Sequence, residues 1–473
     1  MTLSRRIQRG AALQIAARLF SAVANFVLSA VLLARLLPEG EFGLYQFYLT
    51  LFLLASTLVD FGVNQAAVKL VAAGSGKVEQ VIAAAIRIKL LTGLLFALGL
   101  MTLAWLVEPA GGARLLLILA ALHTLGHSLG AASIGFEAEV RFLVPALGVV
   151  LGHALFLLAG VLLYLLHVQV AAFYLAAWGG GLVAQNLFVF VTALRRGRIR
   201  MRVERTVCLG LLREALPLGV ALMAAALYFH MDTIMLRPLR GEAEVARYAV
   251  AYRLMTVGLL VPALFMQVVF PVLSRCHERS AELLKIVLAR STFYLALIGG
   301  IVAAVLLVLA PELLTLAFGA SYRDAATPLR ILALAMLSIF LCYPHSMSLI
   351  AAGRSADFTR ITLSAALFNL LLNLFLIPGF GAEGAALATL VTELFVMVSS
   401  MVCLYRARGI SGASARLLGP AALFLVLLLS GALWPAPRSL WLALPMLLGL
   451  ALFGMLALGA LPFRIGVEQE QLE

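Results

Sequence analysis

Apolar runs of bilayer-spanning length recur along this chain almost without a break, and that single feature constrains what it can fold into more than any other. A hydrocarbon core of about 30 Å is crossed by about 20 helical residues. Fourteen runs of that kind are expected, at 11–34, 43–68, 81–107, 114–135, 142–166, 171–194, 209–236, 246–272, 286–310, 328–352, 360–378, 383–405, 416–434 and 439–462. No water-soluble core could bury them all. The composition agrees: 63% of the 473 residues are hydrophobic and 12% charged, with mean hydropathy +1.07, against roughly 45–50% and 25% in soluble domains. Disorder is excluded by the same numbers. A disulfide scaffold is excluded by only four cysteines, Cys208, Cys276, Cys342 and Cys403, none near another. Helices satisfy their own backbone in lipid, so the expected fold class is an all-α polytopic membrane protein of about 14 transmembrane helices.

The net charge of +13 comes from 35 Lys and Arg against 22 Asp and Glu. In a soluble chain it would point to nucleic acid; here it reads as topology, because basic residues collect in cytoplasmic loops. With Arg5, Arg6 and Arg9 inside, 22 of the 35 basic residues fall on the inner side, eight on the outer side and five within spans. Both termini are therefore expected in the cytoplasm of a cell whose inner membrane holds the protein. The first run contains Arg18 and is too long and too polar for the apolar region of a signal peptide, so it reads as a retained helix.

The densest basic run, Arg195 to Arg205, follows the sixth span and predicts a linker between two bundles. The expected organisation is an N-lobe of six spans at 1–194, a basic cytoplasmic linker at 195–208, a C-lobe of six spans at 209–405, and two further spans with a tail at 406–473. A weak repeat supports two lobes related by a pseudo-twofold axis along the membrane normal. Leu33-Ala-Arg35-Leu-Leu-Pro-Glu-Gly-Glu-Phe-Gly-Leu-Tyr45 is echoed about 202 residues later by Met235-Leu-Arg237-Pro-Leu-Arg-Gly-Glu-Ala-Glu-Val-Ala-Arg-Tyr248. Parallel repeats of this kind are common in transporters, which bind substrate near the midplane between the halves.

The segment Leu33 to Tyr45, followed by Asp60-Phe-Gly62, resembles the opening of bacterial oligosaccharide flippases. These form the polysaccharide biosynthesis protein family of the multidrug/oligosaccharidyl-lipid/polysaccharide (MOP) exporter superfamily. Ala215-Leu-Pro217, Met231-Asp232-Thr-Ile-Met-Leu, Tyr248, Arg253 and Phe270-Pro271-Val-Leu-Ser274 are similar to its seventh and eighth spans. Asn369-Leu-Leu-Leu-Asn373-Leu-Phe-Leu-Ile-Pro378-Gly379-Phe-Gly381 continues the likeness, which covers roughly residues 10–405. The sequence departs at Ala246-Arg247-Tyr248, where the family often has Gly before the Tyr. The resemblance implies two six-helix lobes rocking around a central cavity to move an isoprenyl-diphosphate-linked oligosaccharide across the inner membrane.

An anionic diphosphate calls for cations inside the membrane. Arg18 in the first span and Arg253 in the eighth are the candidates, because guanidinium binds phosphate oxygens bidentately and an intramembrane Arg costs on the order of 3 kcal/mol. The alternative is that Arg18 snorkels or pairs with an acid. Asn369 and Asn373 share a helix face and are candidates either for sugar hydroxyls or for a neighbouring helix. Asp60, Asp232 and Glu393 are candidates for ion coupling or for ion pairing. Arg87 and Lys89, near the start of the third span, are expected to snorkel. His123 and His127 share a face but lack the further ligands zinc needs. Pro217, Pro262, Pro271 and Gly179 to Gly181 are expected to interrupt their spans.

No nucleophile elbow, Walker lysine or metal-binding acidic cluster occurs, so neither enzymatic activity nor a cofactor is expected. The expected partners are a lipid-linked oligosaccharide, membrane lipids, and the polymerase and export machinery of a surface polysaccharide, with no nucleic acid. A lipid II flippase or a cation-coupled multidrug exporter of the same superfamily is the alternative. A membrane glycosyltransferase is disfavoured because the longest outer segment, 311–327, is too short for a catalytic domain.

Overall fold

The computed structural model describes residues 3–72, 78–106, 112–139, 141–197 and 203–408, which are helical nearly throughout and contain no strand. The α-helices are α1 (Leu3–Asn25), α2 (Leu33–Leu36), α3 (Glu39–Asp60), α4 (Val63–Ala72), α5 (Val78–Leu106), α6 (Gly112–Ser128), α7 (Ile134–Ala138), α8 (Leu143–Leu165), α9 (Ala171–Arg195), α10 (Arg205–Arg240), α11 (Glu242–Gly258), α12 (Leu260–Arg279), α13 (Ala281–Phe318), α14 (Ala326–Ala351) and α15 (Ser355–Arg408). A π-helical stretch, Phe26–Leu32, joins α1 to α2.

Eleven helical segments among the described residues are long and apolar enough to cross a bilayer. The last, Ser355–Arg406, has 52 residues, about 78 Å of straight helix at 1.5 Å per residue and more than twice a bilayer core. It folds back on itself. Gly381 has φ 55° and ψ −130°, which breaks the helix. A Cβ on Gly384 would lie 2.6 Å from the carbonyl carbon of Leu376, although eight residues of straight helix span about 12 Å. α15 is thus two crossings joined by a tight turn, and the described chain supplies the twelve crossings expected up to residue 405. The expected thirteenth and fourteenth spans, and residues 198–202 of the basic linker, lie outside the described residues.

The described residues pack as two compact units. The first runs through Val250 and takes in Thr315–Tyr322 and Thr362–Ala385; the second holds Ala251–Leu314, Arg323–Ile361 and the described residues from Ala386 onward.

In the first unit α8 packs on α9, α5 and α9 on α6, α1 on α8, and α10 on α3, α4 and α5. Small residues set these distances. A Cβ on Gly152 of α8 would lie 2.6 Å from the carbonyl oxygen of Gly181 on α9, and the reverse contact is equally tight. The Gly179–Gly181 run therefore does not interrupt its helix as expected: α9 is continuous from Ala171 to Arg195. The glycine serves close helix approach, as small residues do within membranes. Pro217 and Pro271 likewise lie inside continuous helices. The break near Pro262 falls at Leu259, so that the proline occupies the first turn of α12, where its missing N–H costs no helical bond.

The repeated motif performs matching tasks twice at helix ends. Glu41 accepts a hydrogen bond from the backbone N–H of Ala171 at 2.8 Å, at the start of α9, and Glu244 accepts one from Ala382 at 2.7 Å, at the start of the second arm of α15. A carboxylate there satisfies an orphan donor and complements the helix dipole. Arg35 donates to the carbonyls of Leu316 and Ala317 at the end of α13, whereas in the second copy it is Arg240, three residues beyond Arg35's counterpart Arg237, that donates to the carbonyl of Pro378 at the end of the first arm of α15.

In the second unit α12 packs on α14. Pro311 leaves the carbonyl of Leu307 without its helical donor, and Leu309 departs from helical geometry. The guanidinium of Arg330 donates to that carbonyl at 3.0 Å. An arginine from a neighbouring helix thus repairs the proline kink, as the absence of water in a bilayer requires.

Candidate functional site

Three expected site residues meet within the first unit. Asp232 on α10 accepts a hydrogen bond at Oδ1 from Nδ2 of Asn373 at 2.6 Å and one at Oδ2 from the hydroxyl of Tyr248 on α11. Asn373 also donates to Oδ1 of Asn369 at 3.0 Å, one helical turn away on the first arm of α15. All four side chains are buried, none more than 4% exposed. Asp232 lies eight residues before the end of α10, and Asn373 eight before Gly381. Each is about 12 Å down its helix from the turn, within segments long and apolar enough to cross a bilayer. The local logic is simple: positions 369 and 373 share a helix face, and the ties of Arg240 to Pro378 and Glu244 to Ala382 hold α10, α11 and the hairpin of α15 together.

The chemistry offered is that of hard oxygen ligands. A carboxylate, two amide carbonyls and a phenol converge, and Oδ1 of Asn373 is buried without a hydrogen-bond partner among the described residues. Such a donor set suits a proton or a small hard cation. Tyr248 was visible in the sequence as the counterpart of Tyr45 in the repeat and as part of the family likeness, but nothing local to it announces a bond to Asp232.

Asp60 ends α3, and its carboxylate takes a bond from the ammonium of Lys89 at 2.9 Å, making an ion pair with Lys89 wholly buried. Lys89 does not snorkel as the sequence suggests. It faces α3 and α6 rather than lipid, and its backbone carbonyl accepts a bond from Ser128 at 2.7 Å. Arg87, two residues away and on another face of α5, is exposed.

Arg18 is exposed on α1 and belongs to the first unit; Arg253 is half-buried on α11 and belongs to the second. α1 is fixed to its neighbours by Ser21 with His153 (2.7 Å) and by Trp178 donating to Asn25 (3.1 Å). Glu393 is buried on the second arm of α15 in the second unit. Seven residues further on, Ser400 lies 3.4 Å from Ser346 and 3.9 Å from the Cys342 sulfur. His123 stacks on Phe52 with ring centres 5.1 Å apart and shares a 3.0 Å hydrogen bond with Ser56, a packing role. Among the described residues no three His, Cys, Asp or Glu side chains cluster as they would to hold a metal ion.

Two family models match the chain: "Polysaccharide biosynthesis protein" over residues 7–277 and "MatE" over residues 217–375. A Shigella dysenteriae protein named "Putative O-antigen transporter" is 26% identical over 363 residues, 73% of this chain and 87% of its own length. Among solved structures, a lipid II flippase, MurJ, in an inward closed conformation aligns with TM-score 0.72 at 14% identity, over 94% of this chain and 97% of the other. An inward-facing multidrug resistance MATE family transporter of the MOP superfamily aligns with TM-score 0.67 at 15% identity, over 82% of this chain and 94% of the other. These two likenesses establish a shared fold. With more than half its length matched by one family model, this chain belongs to the polysaccharide biosynthesis protein family, and it shares the multi-span helical fold of those solved transporters.

Proposed function

We propose that this protein is an alternating-access flippase that moves an isoprenyl-diphosphate-linked oligosaccharide across the inner membrane for surface polysaccharide assembly. The observation that carries the reading is the polysaccharide biosynthesis match over residues 7–277, joined by the likeness to a protein named for O-antigen transport. In this reading both termini are cytoplasmic, and the lobes are residues 1–194 and 209–405, linked by 195–208 and followed by 406–473. Arg18 and Arg253 contact the diphosphate, for which bidentate guanidinium is suited. Asp232, with Tyr248, Asn369 and Asn373, holds the coupling proton or cation. The buried, unpartnered amide oxygen of Asn373 beside that carboxylate supports the role. Asn369 and Asn373 then serve transport through Asp232, and Asp60, paired with Lys89, serves structure. Glu393 is a second candidate for ion coupling. Polymerase and export proteins are the proposed partners that consume the flipped product.

Deletion of the gene in its native host tests this directly. The reading expects loss of the surface polysaccharide and accumulation of its undecaprenyl-linked repeat unit on the cytoplasmic leaflet, both restored by the wild-type gene. Normal surface polysaccharide in the deletion strain would contradict it.

A further inference from the structure

We infer that Arg35 and Arg237 form a reciprocal latch, which joins the outer ends of the two lobes in this conformation and is released when the lobes part on that side. The latch rests on the proposed function for its topology, in which the first and seventh spans end at the outer face and the lobes rock. The two arginines are counterparts in the repeat, and each reaches from its own lobe to residues of the other, all within the first compact unit. From the N-lobe, Arg35 donates through Nε to the carbonyl of Ala317 at 3.3 Å and through a terminal nitrogen to that of Leu316, in the last turn of α13. Carbonyls there lack helical donors, and a cation complements the helix dipole. From the C-lobe, Arg237 donates to the hydroxyl of Tyr48 on α3 at 3.1 Å and lies over the Phe47 ring at 4.9 Å, its guanidinium also held by Glu242 at 3.2 Å. Two further contacts join the same ends. Phe42 of α3 packs edge-on against Tyr322, ring centres 5.8 Å apart, and Gly43 abuts the backbone of Glu242.

A transporter that rocks must close its outer mouth at one stage and open it at another, so contacts between the lobes at that end are the ones that must break. These are suited to breaking. Guanidinium, phenol and backbone carbonyl groups exchange their partners for water at little net cost, and Arg35 is already exposed. The hydroxyl of Tyr322 is buried without a hydrogen-bond partner among the described residues. Parting the lobes hydrates it, which recovers its desolvation cost and offsets part of the lost aromatic contact. The two arginines share no partner, so each holds the mouth independently of the other.

Spin-label distances in liposomes test the latch without any substrate. In the full chain with its four native cysteines replaced, labels are placed at Gly40→Cys and Ser321→Cys, exposed positions in different lobes near the latch, and their separation is read by double electron–electron resonance. A short distance should dominate. Arg35→Ala or Arg237→Ala should each raise the ratio of long to short distances roughly tenfold, the effect of losing one hydrogen bond from a charged donor, and the double variant should raise it further. Arg35→Lys and Arg237→Lys, which keep a cation and a donor, should return part of the short population. Distributions that match the parent in both single variants and in the double variant overturn the latch. A second variant, Arg35→Cys with Leu316→Cys, is bridged by a short reducible bis-thiosulfonate and assayed for flipping of a fluorescent undecaprenyl-diphosphate oligosaccharide. Flipping lost on bridging and regained on reduction supports the latch, and flipping that survives the bridge overturns it. If even the wild-type protein does not move this probe, the cargo assignment fails while the spin-label distances still decide the latch.

Discussion

Lys89 would be an ordinary snorkelling lysine if α5 faced lipid at that position, but the residue is wholly buried against Asp60. Removing one member of a buried ion pair strands the other, at a cost of about 3–5 kcal/mol, whereas replacing both can be nearly neutral. Lys89→Met should therefore lower thermal stability in detergent markedly, and Lys89→Met with Asp60→Asn should recover most of the loss. Equal damage in single and double variants would show that the pair itself is not the cause. Asp232 makes a different prediction. Asp232→Asn keeps the shape and leaves one oxygen to accept from Tyr248 or Asn373, so the fold should survive. Stimulation of transport by a sodium or proton gradient should be lost, leaving only the gradient-independent rate, as measured in proteoliposomes. Gradient stimulation equal to wild type would remove the cluster from the coupling role.

At the scale of the element, the helices show what a one-dimensional reading captures and what it misses. Apolar run length locates the spans because hydropathy reports depth in the bilayer, and Pro378-Gly379-Phe-Gly381 marks the hairpin of α15 because breakers act locally. Azimuth is not local. Whether Lys89 faces lipid or protein, and whether Gly181 bends a helix or admits a neighbour, is decided by Asp60 and Gly152, each about 29 residues away in sequence. The repeated motif was legible as a repeat, yet its task was not, because Glu41 and Glu244 bond to Ala171 and Ala382 some 130 residues distant. Replacing either glutamate by Ala should cost about 1 kcal/mol, the usual value of a helix N-terminal cap. Since the two caps share no partner, the double variant should lose the sum. Gly181→Leu should be costlier, roughly 1–3 kcal/mol, because its side chain enters the backbone of α8. Unfolding monitored by circular dichroism in detergent checks both.

At the scale of the molecule, the chain combines a transporter fold with two features that only tertiary structure brings together: a buried oxygen-rich cluster around Asp232 and an alanine-lined packing of α10 on α3–α5. The arginines proposed to meet the diphosphate belong to separate units of the fold, Arg18 to the first and Arg253 to the second. Each should matter through charge and geometry together. Arg→Ala at either site should reduce flipping by about tenfold or more, and Arg→Lys should restore only part of it, because ammonium cannot bind phosphate bidentately. The most direct measurement of the central claim is flipping of a fluorescent undecaprenyl-diphosphate oligosaccharide by the purified wild-type protein in proteoliposomes. The account predicts headgroup translocation well above that of protein-free vesicles, with the Arg18→Ala and Arg253→Ala proteins inserted but slow. Translocation no faster than in protein-free vesicles, by a correctly inserted wild-type protein, would contradict it.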